Sequence, residues 1–333
     1  MRLSSRFIIT GACGFIGSHL AKALIARGDY VIGIDNFDPF YDRKLKLANI
    51  ADLDQNSFQL IDCDIRNTLE ITEIFKRDPI DCVFHIAALA GVRPSIEDPA
   101  RYASVNIDGL LSVLEAARSI NCNRFIFASS SSVYGDNKKV PFAETDPVDE
   151  PISPYAATKR SGELICHTYS KVFGLSIACL RFFTVFGPAQ RPDLAISKFM
   201  HMIDSGKTIP MFGDGSTSRD YTYIDDIIQG VLAANDFISS TNNKYRIFNL
   251  GGSKPITLKQ MIDKVAKVVG KPAKIEQLPM QTGDVLQTFA DLTRSKADLG
   301  FDPQTSFEEG LQKQWEWVGK KATRHQGIVA SRQ

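Results

Sequence analysis

Tyr155 and Lys159 have the side chains and the spacing for acid–base chemistry. A phenol can exchange a proton with a substrate once a neighbouring ammonium lowers its pKa toward neutrality. Residues four apart lie on one face of a helix, and Ser153-Pro154 directly before the pair is typical of a helix start. We therefore expect Tyr155 and Lys159 to be held on the same face of one helix.

Tyr134 and Lys138 have the same spacing, so the pattern alone does not identify the catalytic pair. Gly135-Asp136 follows Tyr134 directly, and these two residues favour a turn that would break a helix. We therefore expect Tyr134 to pack in the core or to form a hydrogen bond within a loop.

A run of four serines, Ser129 to Ser132, follows the apolar run Arg124 to Ala128. In a parallel sheet, ligands bind beyond the carboxyl ends of the strands, so these hydroxyls would reach the same crevice as the phenol. One of them could orient a substrate hydroxyl for proton transfer. Considered without the other motifs, a serine run is more often a polar loop.

Gly11, Gly14 and Gly17 form a glycine motif between an apolar run and a helical pattern. Glycine permits a tight turn and close approach of the backbone to a pyrophosphate, and a helix N-terminus offers free N–H groups. Asp35 ends the next apolar run, where a carboxylate would bind ribose hydroxyls and repel a 2′-phosphate. Asp64-Ile65 follows the strand expected after Tyr30 to Asp35, where a carboxylate could hold the adenine amino group. These features predict NAD rather than NADP; a structural turn with a surface aspartate is the alternative.

The order of the elements determines where these side chains meet. Apolar runs typical of buried strands alternate with helical patterns through the first half of the chain. We predict strands at Phe7 to Thr10, Tyr30 to Asp35, Cys82 to Ile86, Arg124 to Ala128 and Ser176 to Arg181, and helices at Phe15 to Arg27, Pro99 to Ser119 and Tyr155 to Phe173. Such an order predicts an α/β fold with a doubly wound parallel sheet covered by helices on both faces.

Beyond about Arg181 the pattern is less regular, and prolines and glycines interrupt it. We predict helices near Ile224 to Ala234, Thr257 to Val269 and Ser306 to Val318, and a strand at Ile247 to Leu250. We therefore divide the chain into a dinucleotide-binding domain of residues 1–181 and a smaller mixed α/β substrate-binding domain of residues 182–333. The segment near 224–252 is expected to return to the first domain.

Composition limits the classes of function. The 333 residues carry 39 basic and 38 acidic side chains, a net charge of +1, which disfavours a nucleic-acid-binding role. No apolar run reaches the length of a membrane span, and no signal-peptide pattern follows Met1. The six cysteines form no CxxC pair and lie mostly in apolar contexts, as in a cytoplasmic protein with reduced thiols. No metal site is predicted.

The chain resembles, from about Phe7 to Trp317, the extended short-chain dehydrogenase/reductase superfamily and, within it, the nucleotide-sugar epimerases, and eight motifs carry this resemblance. They are TGACGFIG (Thr10 to Gly17), DN (Asp35-Asn36), DIR (Asp64 to Arg66), HIAALAGVR (His85 to Arg93), SSSSVYG (Ser129 to Gly135), YAATK (Tyr155 to Lys159), LRFFTVFGP (Leu180 to Pro188) and RDYTYIDD (Arg219 to Asp226). The resemblance implies a Rossmann domain that binds NAD, with Tyr155 as the base, Lys159 as its partner and Ser130 as the hydroxyl donor. Ser131 is the alternative donor.

The same resemblance implies the residues that contact the cofactor. They are Gly11, Gly14, Phe15, Ile16, Gly17, Asp35, Asn36, Asp64, Ile65, Ala87, Ala88, Ala90, Asn106, Tyr155, Lys159 and Phe182.

The serine run limits which subfamily of nucleotide-sugar enzymes the chain resembles. Related sugar-nucleotide dehydratases carry an Asp-Glu pair at the positions of Ser131 and Ser132, and UDP-glucuronate decarboxylases carry a glutamate at the position of Ser132. Hydroxyls at these positions disfavour both reactions. The closest resemblance is to UDP-glucuronate 4-epimerases, through DNFDPFYDRKLK (Asp35 to Lys46), AGVRPSIEDP (Ala90 to Pro99), FTVFGPAQRPDLA (Phe183 to Ala195) and MQTGDV (Met280 to Val285).

This resemblance also implies the residues that contact the substrate. Ser131, Ser132 and Thr184 could bond a C5 carboxylate. Arg93 and Arg191 are further anion-binding candidates, although a surface salt bridge accounts equally well for either arginine. Three family positions concern UDP: Arg219 would meet the diphosphate, Phe212 the uracil and Asp284 the ribose. Gln281 stands where UDP-glucose epimerases often have arginine, so the phosphate contacts at that position are left open.

The resulting hypothesis is NAD-dependent inversion at C4 of UDP-glucuronate, through a transient 4-keto sugar, to give UDP-galacturonate. Alternatives are a 4-epimerase of UDP-glucose, of a UDP-N-acetylhexosamine or of its uronic acid, a UDP-glucuronate decarboxylase, and a non-catalytic NAD-binding protein. The resemblance further implies a homodimer in which Pro99 to Ser119 and Tyr155 to Phe173 pair as a four-helix bundle. The alternative is that both helices merely cover the sheet.

Overall fold

The computed structural model describes residues 4–240, 245–280 and 285–330, with the backbone alone from 320 onward. Its strands are β1 (Arg6–Thr10), β2 (Tyr30–Asp35), β3 (Phe58–Asp62), β4 (Cys82–His85), β5 (Arg124–Ser130), β6 (Ser176–Phe182), β7 (Thr184–Phe186), β8 (Thr208–Phe212), β9 (Ser218–Tyr223), β10 (Tyr245–Leu250), β11 (Pro255–Thr257) and β12 (Lys274–Leu278). Its α-helices are α1 (Phe15–Ala26), α2 (Arg43–Ile50), α3 (Thr68–Phe75), α4 (Val92–Glu97), α5 (Pro99–Ala103), α6 (Gly109–Ser119), α7 (Pro154–Phe173), α8 (Ala195–Asp204), α9 (Ile224–Ser239), α10 (Leu258–Val269), α11 (Thr293–Leu299) and α12 (Phe307–Ala330).

Seven parallel strands form the central sheet, in the order β10-β6-β5-β4-β1-β2-β3. Successive residues of a strand point to opposite faces, so this sheet has an apolar core on each side. One core joins α3, α6 and α7 to residues such as Ile8 and Phe125, and the other joins α1 and α9 to residues such as Ile9 and Ile126. The predicted doubly wound α/β fold is confirmed.

The helix predicted over Pro99 to Ser119 is interrupted. A π-helical turn, Ser104–Asp108, separates α5 from α6. Its Asn106 side chain is buried and bonded to the Leu89 backbone, and a Cβ at Gly109 would lie 2.5 Å from the Ile65 side chain. The helix therefore carries an extra residue where it must turn one amide inward, as π-turns do at functional sites.

The segments outside the central sheet are more regular than the sequence pattern indicated. Strands β11, β9 and β7 form a small sheet, and β12 pairs with β8. These strands have three to six residues, too few to give a clear periodic pattern. β10 lies at the edge of the central sheet beside β6, and α9 packs on that sheet. The proposed boundary at residue 181 falls inside β6.

Candidate active site

A cavity of about 550 Å³ lies along the carboxyl ends of the central strands. This is the edge at which doubly wound sheets bind their ligands. Most residues chosen from the sequence line it: Gly11, Gly14, Phe15, Ile16, Gly17, Asp35, Asn36, Asp64, Ile65, Ala87, Ala88, Ala90, Ser130, Ser131, Ser132, Tyr155, Lys159, Phe182, Thr184, Arg191 and Arg219. Segments distant in the chain thus share one cavity.

The glycine turn requires two of its glycines for steric reasons. Gly11 has φ +72°, and a Cβ there would lie 2.8 Å from the backbone nitrogen of Ala87. A Cβ at Gly17 would lie 2.1 Å from the carbonyl oxygen of Gly11. Because neither contact is tolerable, the turn depends on glycine at both positions.

The N-terminus of α1 opens into the cavity. Gly14 is its N-cap, no side chain caps it, and its first turn contains no acidic residue. The N–H groups of Phe15, Ile16 and Gly17 have no acceptor within the helix. Free N–H groups at the positive end of a helix dipole suit a pyrophosphate, so this donor set fits a dinucleotide.

Asp35 is held by the loop that follows β2. Its two carboxylate oxygens accept hydrogen bonds from the backbone N–H groups of Cys13, at 3.0 Å, and Phe37, at 2.9 Å. Burial raises the pKa of this carboxyl, while Lys46, whose Nζ lies 3.9 Å from Oδ1, acts in the opposite direction. The carboxylate is thereby fixed beside the glycine turn.

The Asp64 carboxylate accepts hydrogen bonds from two side chains, those of Arg66 and Asn36. Arg66 donates to both of its oxygens, at 3.0 and 2.7 Å, and the Asn36 amide donates at 3.0 Å. The hydrogen bonds from Arg66 lower the pKa of Asp64 to about 2. This side chain is therefore an ionised acceptor at neutral pH.

Tyr155 and Lys159 lie on α7 at the other end of the cavity. Lys159 is 4% exposed, its Nζ donates to the carbonyl oxygen of Ala128 at 2.7 Å, and burial lowers its pKa to about 8. Its Nζ lies 6.0 Å from the centroid of the Tyr155 ring. Burial raises the pKa of Tyr155, whereas a hydrogen bond with Ser130 and the charge of Arg191 lower it. Ser130 is thus a group that acts on the ionisation of the phenol.

The polar groups near the phenol are hydroxyls and cations. Ser132 donates to the Ser130 hydroxyl from its backbone N–H, at 3.2 Å, and from its own hydroxyl, at 2.9 Å. Arg191 bonds Asp193 at 2.6 Å and lies 4.8 Å above the Phe40 ring. Among the described residues that line the cavity, the carboxylates are Asp35, Asp38 and Asp64, all of which follow β2 and β3.

Four of the chosen residues are not among those that line the cavity. Asn106 is buried behind it, where it accepts from Leu89 N–H at 2.8 Å and donates to Leu89 carbonyl at 3.0 Å. It therefore holds the segment that contains Ala87, Ala88 and Ala90. The exposed Arg93 lies 5.2 Å above the ring of Phe212. Asp284 lies outside the described residues, as does Gln281.

Several polar residues that line the cavity were not expected there from the sequence, among them Asp38, Tyr41 and Lys46. All three belong to the segment after Asp35. Lys46 donates to the Asp38 carbonyl at 2.9 Å and lies 4.9 Å above the Tyr41 ring. The sequence did contain a sign of this, because these charged and aromatic residues follow closely after Asp35, the acidic residue that ends β2. No group of three or more His, Cys, Asp or Glu suited to a metal occurs in the described parts of the chain.

Comparison with known proteins gives consistent matches over nearly the whole chain. A family model described as GDP-mannose 4,6 dehydratase matches residues 8–314. A probable UDP-glucuronate 4-epimerase of Rhizobium meliloti is 39% identical over 96% of this chain and 98% of the relative. UDP-glucuronate 4-epimerase 5 of Arabidopsis thaliana is 41% identical, over 93% of this chain and 74% of the relative.

Solved structures match equally well. The UDP-glucuronic acid 4-epimerase of Bacillus cereus, in complex with UDP-glucuronic acid and NAD, has a TM-score of 0.88 and 38% identity, covering 95% of this chain and 99% of its own. The UDP-glucose 4-epimerase of Thermotoga maritima, with UDP-glucose, has a TM-score of 0.87 and 32% identity, with the same coverage of 95% and 99%.

Proposed function

This chain belongs to the GDP-mannose 4,6 dehydratase family, and on that premise we propose that it is an NAD-dependent epimerase that converts UDP-glucuronate to UDP-galacturonate. The relatives and the solved structures confirm the resemblance to nucleotide-sugar epimerases that the sequence predicted. One observation carries the proposal: Ser130, Tyr155 and Lys159 line the same cavity as the N-terminus of α1, which no side chain caps.

NAD, when bound, supplies the chemistry of accepting hydride from C4 of the sugar and returning it to the other face of that carbon. The N–H groups of Phe15, Ile16 and Gly17 would hold its pyrophosphate. Asp35 would accept hydrogen bonds from the adenosine ribose. These residues would hold the dinucleotide at the carboxyl ends of β1 and β2.

Tyr155 would remove the proton of the C4 hydroxyl and later return it to the inverted alcohol. Ser130, which lowers the pKa of the phenol, would orient the sugar hydroxyl. Lys159 supplies a positive charge beside the phenol, which favours the phenolate. Between the two transfers, the 4-keto sugar would rotate while UDP stays bound.

The substrate end of the cavity suits an anionic sugar. The hydroxyls of Ser131, Ser132 and Thr184 and the guanidinium of Arg191 line it. Hydroxyls and a cation can hold a carboxylate by hydrogen bonds and charge. Ser131 and Ser132 carry hydroxyls, so these two positions offer no carboxylate to assist loss of water or carbon dioxide.

Incubation of the purified protein with UDP-glucuronate tests the proposal. We expect sugar proton couplings of UDP-galacturonate in the NMR spectrum, and none with the Tyr155→Phe variant. Turnover of UDP-glucose without turnover of UDP-glucuronate would contradict the substrate assignment. A pentose nucleotide would identify a decarboxylase instead.

The outer faces of α6 and α7 support a homodimer through a four-helix bundle. On α7, Leu164 is 53% exposed and Val172 is 66% exposed, and their spacing of eight residues places them on one helix face. On α6, Leu111 and Glu115 are part-exposed on the outer face. A second copy of the same surface would cover these apolar side chains.

We also place the protein in the cytoplasm. All six cysteines are free and buried, as in a reducing compartment. Within the described residues, no helix combines the length and apolar character of a membrane span. Fractionation of the source cells tests the location.

A further inference from the structure

A buried ion pair lies directly behind the catalytic residues. Glu163 and Arg181 are 0% and 1% exposed, and Arg181 donates to both carboxylate oxygens, each at 2.8 Å. A pair so deeply buried adds little net stability, because desolvation of the two charges offsets their attraction. Stability alone therefore does not account for its position.

Glu163 continues the face of α7 that carries the catalytic residues. Tyr155, Lys159 and Glu163 are spaced by four residues, so they follow one another along a single helix face. Two hydrogen bonds join this face to the end of β5: Lys159 donates to the Ala128 carbonyl at 2.7 Å, and the Ser129 hydroxyl donates to Glu163 at 2.6 Å. Adjacent residues of β5 are thus tied to successive turns of α7.

The same carboxylate also binds the neighbouring strand. Ser129 of β5 and Arg181 of β6 are paired in register in the parallel sheet, and Glu163 bonds both. The next residues, Ser130 and Phe182, are paired in the same way, and both line the cavity. Glu163 therefore fixes the two strands one residue before Ser130 and Phe182.

We propose that Glu163 is a positioning residue whose carboxylate, by holding Ser129 and Arg181 against α7, sets the position of Ser130 relative to Tyr155. This inference rests on the roles assigned to Ser130 and Tyr155 under the proposed function. The mechanism does not use Glu163, which is buried and is not among the residues that line the cavity.

Loss of the constraint should appear in the ionisation of the phenol. Ser130 is the first of the groups that lower the pKa of Tyr155; Arg191 is the other, and Lys159 and the ring of Tyr102 also face it. If Ser130 moves away, the pKa of the phenol rises. The pH–rate profile then shifts to higher pH, which a loss of stability alone would not produce.

Two variants and a control test the proposal in the NAD-loaded protein. Ser129→Ala removes one hydrogen bond to Glu163 and leaves the ion pair intact, while Glu163→Gln removes the charge. We expect kcat for UDP-glucuronate to fall about tenfold in Ser129→Ala and further in Glu163→Gln, with KM changed less than about twofold and the limb of the profile moved to higher pH. Glu73→Gln removes a carboxylate from an exposed pair with Lys76 and should leave both quantities unchanged.

Crystal structures of the wild type and of Ser129→Ala provide a readout that does not depend on turnover. We expect the distance between the Ser130 and Tyr155 hydroxyls to be longer in the variant than in the wild type. An unchanged distance, with wild-type kcat and pH profile, would overturn the proposal even if Glu163→Gln fails to fold. A wild type without UDP-glucuronate turnover would reject the proposed function instead, and the distance would still decide this inference.

Discussion

The phenol of Tyr155 lies where its neutral form is favoured by burial and its charged form by its neighbours. Ser130 and Arg191 lower its pKa, and Lys159 lies on the next helical turn. The residue can therefore take up and release a proton only because several elements contribute to its surroundings.

We expect Tyr155→Phe to reduce kcat by about 10²- to 10⁴-fold, the usual contribution of a general acid–base group. The ring still packs edge-on against Tyr102, so the melting temperature and the bound NAD content should stay near wild type. Steady-state kinetics and calorimetry measure these quantities. Tyr30→Phe, at a ring that contacts Arg6 away from the cavity, should remain fully active; an active Tyr155→Phe would contradict the assignment.

Lys159 makes stability depend on pH in a predictable direction. Its folded pKa of about 8 lies below its unfolded value of 10.5, so the folded state releases the proton first. Burial of the ammonium lowers the free energy of unfolding. This loss is fully present below about pH 8 and becomes smaller as the pH rises toward 10.5, the pKa in the unfolded chain.

In the variant Lys159→Met the side chain does not ionise, so this contribution to the pH dependence of stability is absent. We therefore expect the unfolding free energy of Lys159→Met minus that of wild type to be greater at about pH 7 than at about pH 9.5, by roughly 2 kcal/mol. Urea unfolding of both proteins at the two pH values measures the difference. Equal differences at both pH values would mean that Lys159 ionises normally in the fold.

Among the elements, the turn between β1 and α1 depends most strictly on residue type. A Cβ at Gly17 would meet the Gly11 carbonyl at 2.1 Å, whereas a Cβ at Gly14 would meet it at 3.2 Å. The first contact requires backbone movement, and the second requires a shift of a few tenths of an ångström. The two glycines should therefore differ in their tolerance of alanine.

We expect Gly17→Ala to be purified without NAD and to lose about 1–3 kcal/mol or more of stability, because overpacking displaces the helix N-terminus. Gly14→Ala should keep measurable NAD binding with a smaller loss. Absorbance of the released cofactor and thermal unfolding report the two effects. Equal behaviour of the two variants would contradict this account of the turn.

At the scale of the whole molecule, the sheet brings together groups that are far apart in the chain. The cofactor end of the cavity is built after β1, β2 and β3, and the reacting end after β5 and β6. Helix α7 serves both the cavity and the proposed dimer surface, since its inner face carries Tyr155 and its outer face carries Leu164. Under the proposed function, assembly and catalysis would share one helix.

We expect the wild type to elute as a dimer and the variant Leu164→Glu/Val172→Glu to shift to monomer, because a buried carboxylate disfavours association. Light scattering coupled to size exclusion measures the mass. Leu69→Glu replaces a side chain that is 83% exposed on α3 and should remain dimeric. A monomeric wild type would indicate that α6 and α7 only cover the sheet.

Local patterns in the sequence predicted the elements and the chemical groups. Apolar runs and helical periodicity predicted strands of the doubly wound sheet. The turn residues after Tyr134 predicted that Tyr155 and Lys159, and not Tyr134 and Lys138, share one helix face. These predictions succeed because burial of a strand and formation of a turn depend on neighbouring residues. The short strands β7, β8, β9, β11 and β12 were missed because so few residues give little periodicity.

Only the tertiary structure decided which groups touch. Sequence spacing did not indicate that Asn106 lies behind the cavity or that Glu163 bonds Ser129 and Arg181. Those contacts depend on the register between β5 and β6 and on the packing of α7 against both strands. Register and packing are set by the whole core, because the apolar residues of each strand must match the core face that its neighbours form.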